Sequence, residues 1–263
     1  MPIIYSAIVP HSLILIPTIG KNNWDRLKLT LDSYRKIEED LYSLQPDTII
    51  IISPHGPIQS NVFSMNLSPK FNGNFQEFGD FSTSVNLEGD IGLAYKIREH
   101  METSAPLTLI SEEKLDYGST VPLYILTKML SKIKIIPIYY SGLDLAAHWE
   151  FGNRLQRECQ YSKNRIAVIA SGDLSHRIAK DSPAGYSPKG KKFDQKLIEL
   201  LRKDKPQDIL KIDHHLIMDA GECGLKSITL LMGLLEGIKY KTQILSYEYP
   251  FGIGYLVTKF EIR

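Results

Sequence analysis

Cysteine is scarce. Cys159 and Cys223 are the two among 263 residues, they form no CxxC, and they exclude a disulfide framework. No charge sign dominates either: Lys+Arg 31 against Asp+Glu 30 leaves a net charge of +1, without the basic excess that a nucleic-acid-binding surface carries. The short basic run Lys189–Lys192 reads as solvated surface. Long apolar stretches are missing, and none approaches the ~20 residues of a membrane span. The apolar start, Met1 to His11, has no basic leader and is interrupted by Pro10, His11 and Pro17, so it reads poorly as a signal peptide. Together these absences predict a soluble, reduced, cytoplasmic protein with neither a membrane nor a nucleic-acid partner.

What is present is an ordinary globular composition, 43% hydrophobic and 23% charged, with no repeat, low-complexity tract or linker to divide it. The sequence therefore predicts a single domain over 1–263, long enough to bury roughly 70–75% of its unfolded surface. Runs of β-branched residues alternate with segments of helical period, the pattern of an α/β sheet domain. Strands are predicted over Ile3–Val9, Thr48–Ser53, Val62–Leu67, Thr83–Leu87, Leu107–Ile110, Lys134–Tyr139, Arg165–Ser171, 242–248 and 254–261. Helices are predicted over 22–44, 88–101, 120–131, 144–160, 189–202, 206–218 and 223–237.

Three strands run directly into a histidine: Val9-Pro10-His11, Ser53-Pro54-His55, and Ser171 followed five residues later by His176. Open α/β sheets bind ligands beyond the carboxyl ends of their strands. Parallel alignment would deliver three imidazoles to one rim. Pro54, Gly56 and Pro57 make the His55 turn rigid, as a ligand that must not relax away from an ion requires; an incidental histidine in a structural turn is the alternative. Glu222 is a candidate carboxylate, between Gly221 and Gly224 and just ahead of an apolar helix, where it could equally be a simple cap. Cys223 competes for the same coordination position. A thiolate there favours zinc or copper, a carboxylate favours Fe(II). His176 is the acid–base candidate, with Asp173 either orienting it or capping the next segment. His100 and His148 are expected on exposed helix faces, and His214-His215 on a helix surface. The loop Lys180–Gly190, rich in Pro, Gly and Ser, is either a cover for the site or a plain surface excursion.

In order along the chain stand VPHSLILIP (9–17), PDTIIIISPHGP (46–57), LDYGSTVPL (115–123), IASGDLSHR (169–177), AGECGLKSI (220–228) and SYEYPFGIGYLV (246–257). This ordered set resembles the class III, LigB-type extradiol ring-cleavage dioxygenase superfamily, most closely its MEMO-like branch, the AmmeMemoRadiSam protein B/A component. The resemblance implies a three-layer α/β/α domain around a mostly parallel or mixed sheet, probing a catechol- or aminophenol-like substrate with O2 and non-haem Fe(II). It implies His11 and His55 as metal ligands, Glu222 as the carboxylate ligand and His176 as the base. The Cys223-Gly224 pair matches the MEMO-like pattern, which implies a metal- or ligand-binding, non-oxygenase partner of a radical-SAM-linked pathway, and self-association. One departure stands out: the dioxygenase pattern has Asp-His-Gly where this chain has Asp116-Tyr117-Gly118. Tyr117, in the substrate-contacting place, can donate a hydrogen bond but is a poor base at neutral pH.

Overall fold

The strongest apolar runs become strands buried along their whole length: β1 (Ile3–Val9, apart from one partly exposed residue), β2 (Thr48–Ser53) and β8 (Ile166–Ser171). Continuous β-branched runs of this kind suit a parallel sheet covered on both faces. The computed structural model describes residues 2–203 and 205–263. In it, β1 pairs in parallel with β8, and β8 in parallel with β2. Next to β2, also parallel, lies β7 (Lys134–Tyr139).

The sheet is mixed at its margins. Its order is β4-β5-β7-β2-β8-β1-β10-β9, where β4 is Lys70–Phe75, β5 Asp80–Gly89, β9 Tyr240–Glu248 and β10 Tyr255–Ile262. The β4–β5 pair and the β1–β10–β9 end are antiparallel. Two short strands, β3 (Phe63–Asn66) and β6 (Leu107–Ile110), extend a branch from β7.

Alternate residues of the central strands feed two cores. Ile50, Ile52 and Val168 pack against α3 (Ile91–Met101), α5 (Leu145–Gln160), α6 (Pro188–Arg202) and α8 (Leu225–Leu234). Ile49, Ile51 and Ile169 pack against α2 (Lys28–Leu44) and α4 (Tyr117–Leu126). The result is the three-layer α/β/α arrangement expected. A single turn, α1 (Pro17–Gly20), and a short α7 (His214–Ala220) complete the helices described. None of these helices is long and apolar enough to cross a membrane.

Three expectations change. The helix over 206–218 is broken: a 3-10 segment covers Pro206–Lys211, and Asp213 then accepts from Leu216 N to start α7. The helix over 22–44 begins as 3-10 turns at Lys21–Leu27. His148 is fully buried rather than exposed, with its ring Nδ1 against Asp144 O at 2.6 Å and Ser141 N–H directed at its Nε2. The ring faces inward, where it meets Phe63 edge-on.

Candidate metal centre

The parallel register of β1, β8 and β2 fixes the rim. Val9 lies opposite Ser171, and both strands end there, so the turns carrying His11 and the 172–176 loop leave the sheet side by side. His55 follows the end of β2. The imidazoles of His11 and His55 meet edge to face with their Nε2 atoms 3.0 Å apart.

The tautomer of His11 follows from its neighbours. Ser171 donates its hydroxyl proton to Gly118 O at 2.6 Å, so its oxygen is left to accept from His11 Nδ1 at 3.0 Å. The Nδ1 thus carries the proton, and the Nε2 lone pair faces the site. The backbone is pinned as well, since His11 N–H donates to Asp173 Oδ1. Burial, reinforced by the neighbouring imidazoles, pushes both His11 and His55 down to about 3. At neutral pH two uncharged rings are on offer, the form that binds metals.

Cys223 arrives through a contact between two backbones. A Cβ on Gly172 would stand 2.2 Å from Gly224 Cα, so only glycine lets the loop after β8 touch the start of α8. Across this contact Gly224 N–H donates to Asp173 O, and His176 N–H and Ser175 Oγ donate to Ala220 O. Cys223 Sγ ends 3.5 Å from His11 Nε2 and 3.8 Å from His176 Nε2. Among the described residues, His11, His55 and Cys223 form a group whose ligand atoms all lie within 4.8 Å of one another.

Glu222 is placed differently. Its Oε2 accepts from Leu225 N at 2.6 Å, the cap that the sequence left open as an alternative, and burial pushes its carboxyl up to about 7. The chain therefore sets Cys223, rather than Glu222, beside the two imidazoles. Asp173 also differs from a simple partner of His176: its carboxylate takes the His11 amide and lies 3.8 Å from His11 Nε2, with burial holding it up at about 6. Burial, with Asp173 and Glu222 adding to it, keeps the Cys223 thiol well above its ordinary value. A bound cation would reverse that and take the thiolate.

Tyr117 is the first residue of α4. Asp116 caps that helix by accepting from Ser119 N, and also receives the Ser53 hydroxyl, which ties α4 to the end of β2. Gly118 lies so close that a Cβ would meet Ser53 Oγ at 2.6 Å. The Tyr117 ring stacks on His55 at 4.3 Å, and its hydroxyl oxygen lies 2.8 Å from His55 Nε2. Beyond it a cleft of about 290 Å³ is lined by His55, Tyr117, Phe78, Glu112, Lys114 and Tyr139, among others. Ser182 Oγ of the loop Lys180–Gly190 donates to Gly252 O, and no residue of that loop lines this cleft.

Sequence reasoning missed Ser171 and Ser53, whose roles depend on register and not on any local pattern. The donors present fit a divalent transition metal of borderline softness: two neutral imidazoles and a thiol that such an ion deprotonates.

Comparison with known proteins agrees with this fold. The family model for the catalytic LigB subunit of aromatic ring-opening dioxygenase matches residues 5–258. Protein CA_C1420 of Clostridium acetobutylicum is 34% identical over 264 residues, covering 97% of this chain; the chain spans only 56% of that relative's length. A 3,4-dihydroxyphenylacetate 2,3-dioxygenase of Escherichia coli is 26% identical over 250 residues, 89% of this chain and 90% of the relative. In fold, the crystal structure of the uncharacterised protein JW3007 from Escherichia coli K12 is similar, with a TM-score of 0.64 at 17% identity, covering 86% of this chain and 91% of that one.

Proposed function

The chain belongs to the LigB family of aromatic ring-opening dioxygenases, and from that premise we propose that it is a non-haem Fe(II)-dependent, extradiol-type oxidoreductase acting on a catechol- or aminophenol-like substrate. The observation that carries this reading is the pair of neutral imidazoles, His11 and His55, with Nε2 atoms 3.0 Å apart on the rim that also bears His176. In that role His11 and His55 hold the ion, with Cys223 as third donor in the present geometry and Glu222 as the carboxylate alternative. When bound, iron would supply the Lewis-acid and redox chemistry that joins the substrate to O2. His176 takes the proton of the second hydroxyl at Nε2 and returns it on ring opening. Asp173 fixes the His11 turn, and Tyr117 offers a hydrogen bond to an oxygen at the centre. The likeness to a dioxygenase whose substrate is a dihydroxyphenyl acid supports the substrate class.

A second reading is favoured by Cys223 and Tyr117. With a thiol in the donor group and no histidine after Asp116, the centre suits a MEMO-like metal- or ligand-binding module, a partner in a radical-SAM-linked pathway, holding zinc or copper. One set of measurements separates the two. Iron-loaded protein is mixed with a panel of catechols and aminophenols, and oxygen uptake and a yellow product are followed. Turnover lost in His176→Ala with iron binding intact supports the oxygenase; turnover retained in that variant removes His176 as base. No oxygen uptake, together with anaerobic copper or zinc binding that disappears in Cys223→Ala, supports the module instead.

A further inference from the structure

We propose that the phenol oxygen of Tyr117 is a fourth donor to the cation held by His11, His55 and Cys223. The inference rests on the metal-centre reading shared by both functions above, and it is independent of whether the centre turns over oxygen.

Hydrogen-bond accounting leads to it. His55 Nε2 faces two atoms at once, His11 Nε2 at 3.0 Å and the Tyr117 hydroxyl at 2.8 Å. The Ser171 contact has already committed His11 Nε2 to a lone pair. If His55 Nε2 carries a proton, that single proton serves one of its two neighbours. If it does not, Tyr117 donates to it and two imidazole lone pairs face each other at contact distance. Either way only one of the two contacts at His55 Nε2 is a hydrogen bond, and the other holds two polar atoms together with no proton between them. A single cation among the three atoms accounts for both contacts.

The separations are those of neighbouring ligands on one ion. Nitrogen donors about 2.1 Å from a metal and at right angles stand ~3.0 Å apart, and an oxygen donor at about 2.0 Å gives ~2.9 Å. At right angles a thiolate at about 2.3 Å would lie ~3.1 Å from an imidazole nitrogen, so the Cys223 sulfur closes in by a few tenths of an ångström on binding. The observed values are 3.0 Å between nitrogens, 2.8 Å from oxygen to nitrogen and 3.5 Å from sulfur to nitrogen.

The phenol is also held in place. Its ring is stacked on His55 and makes edge-type contacts with His11 at 5.6 Å and Phe78 at 5.5 Å. Asp116, which starts α4, is bonded to Ser53 at the end of β2, so Tyr117 and His55 are carried by two elements joined to each other. Metal uptake then releases one proton from the phenol and one from the thiol to solvent. The donor set becomes two nitrogens, one sulfur and one oxygen. Tyr117 occupies a position that a histidine in that place would leave to substrate, and a chelating aromatic has to displace it.

The test uses two probes that need no turnover. Ferric iron bound to the full chain is examined by resonance Raman spectroscopy for the ring modes of a coordinated phenolate. Zinc affinity is measured by chelator competition. Wild type and Tyr140→Phe should both show the phenolate modes; Tyr117→Phe should lose them and bind zinc at least about tenfold more weakly, since even outer-sphere partners are worth that much. Absent phenolate modes in wild type, or their persistence in Tyr117→Phe, overturns the proposal. So does unchanged zinc affinity in a folded Tyr117→Phe; should that variant fail to fold, the wild-type spectrum alone decides. Phenolate modes without oxygen uptake would sink the oxygenase reading and leave this one standing, and the reverse result would do the opposite.

Discussion

At the end of β8 one hydroxyl, Ser171 Oγ, donates to Gly118 O and accepts from His11 Nδ1, linking three chain segments. It decides which nitrogen of His11 is free. Removing it in Ser171→Ala leaves Gly118 O without that donor and the ring free to change tautomer. Metal affinity should fall about 10–100-fold, and stability by about 1–3 kcal/mol. Chelator competition and denaturant titration measure the two effects; wild-type affinity in this variant would refute the tautomer argument. The contrast with the histidines is instructive. His11, His55 and His176 were legible because each follows a strand, and Cys223 because it stands next to a candidate carboxylate. Nothing local marks Ser171, since a serine ending a strand is commonplace until the register places it under an imidazole. His148 misled for the opposite reason: its polar helical neighbours concealed a ring turned inward.

Among the elements, α6, β9 and the 172–176 loop meet at one buried carboxyl. Asp194 accepts from Ser175 N at 2.9 Å and from Tyr247 OH at 2.8 Å. Burial pushes it up to about 7 from 3.8. Because the folded value is above the unfolded one, the folded state holds the proton more tightly. The associated stability is therefore present below about pH 4 and is lost as pH rises towards 7. Asp194→Asn keeps an acceptor for Ser175 and does not titrate. Its stability relative to wild type should rise by on the order of 1–3 kcal/mol between pH 4 and pH 8, as read from denaturant midpoints at each pH. A pH-independent difference would show that the carboxyl is not desolvated as described. Element by element, the β-branched runs made the central strands legible, Lys134–Tyr139 to the residue. Strand β4, Lys-Phe-Asn-Gly-Asn-Phe, escaped notice because Asn and Gly are poor strand formers. It is held by pairing with β5, a tertiary cause that composition does not display.

For the molecule as a whole, a sheet sandwiched between two helical layers positions donors from distant parts of the chain. A ligand that binds only this assembled state stabilises it. Zinc or anaerobic Fe(II) at a hundredfold excess over its dissociation constant should add about 2.7 kcal/mol, seen as a rise in melting temperature that a chelator reverses and that His55→Ala lacks. A melting temperature indifferent to metal in the wild type would remove the metal centre from the account. The α/β class was legible from alternating strand and helix periods, the shared rim from strands that run into histidines, and the three layers from the family resemblance. The antiparallel margins were not, because pairing partners far apart in sequence leave no periodic trace.

The contact between Gly172 and Gly224 has a consequence for any change in the packing of α8. The two imidazoles are set by the ends of β1 and β2, but the sulfur reaches them through a junction with no room for even one added methyl group. Gly172→Ala would therefore push Cys223 away while leaving His11 and His55 in place, detaching the thiol from the donor group without touching either ring.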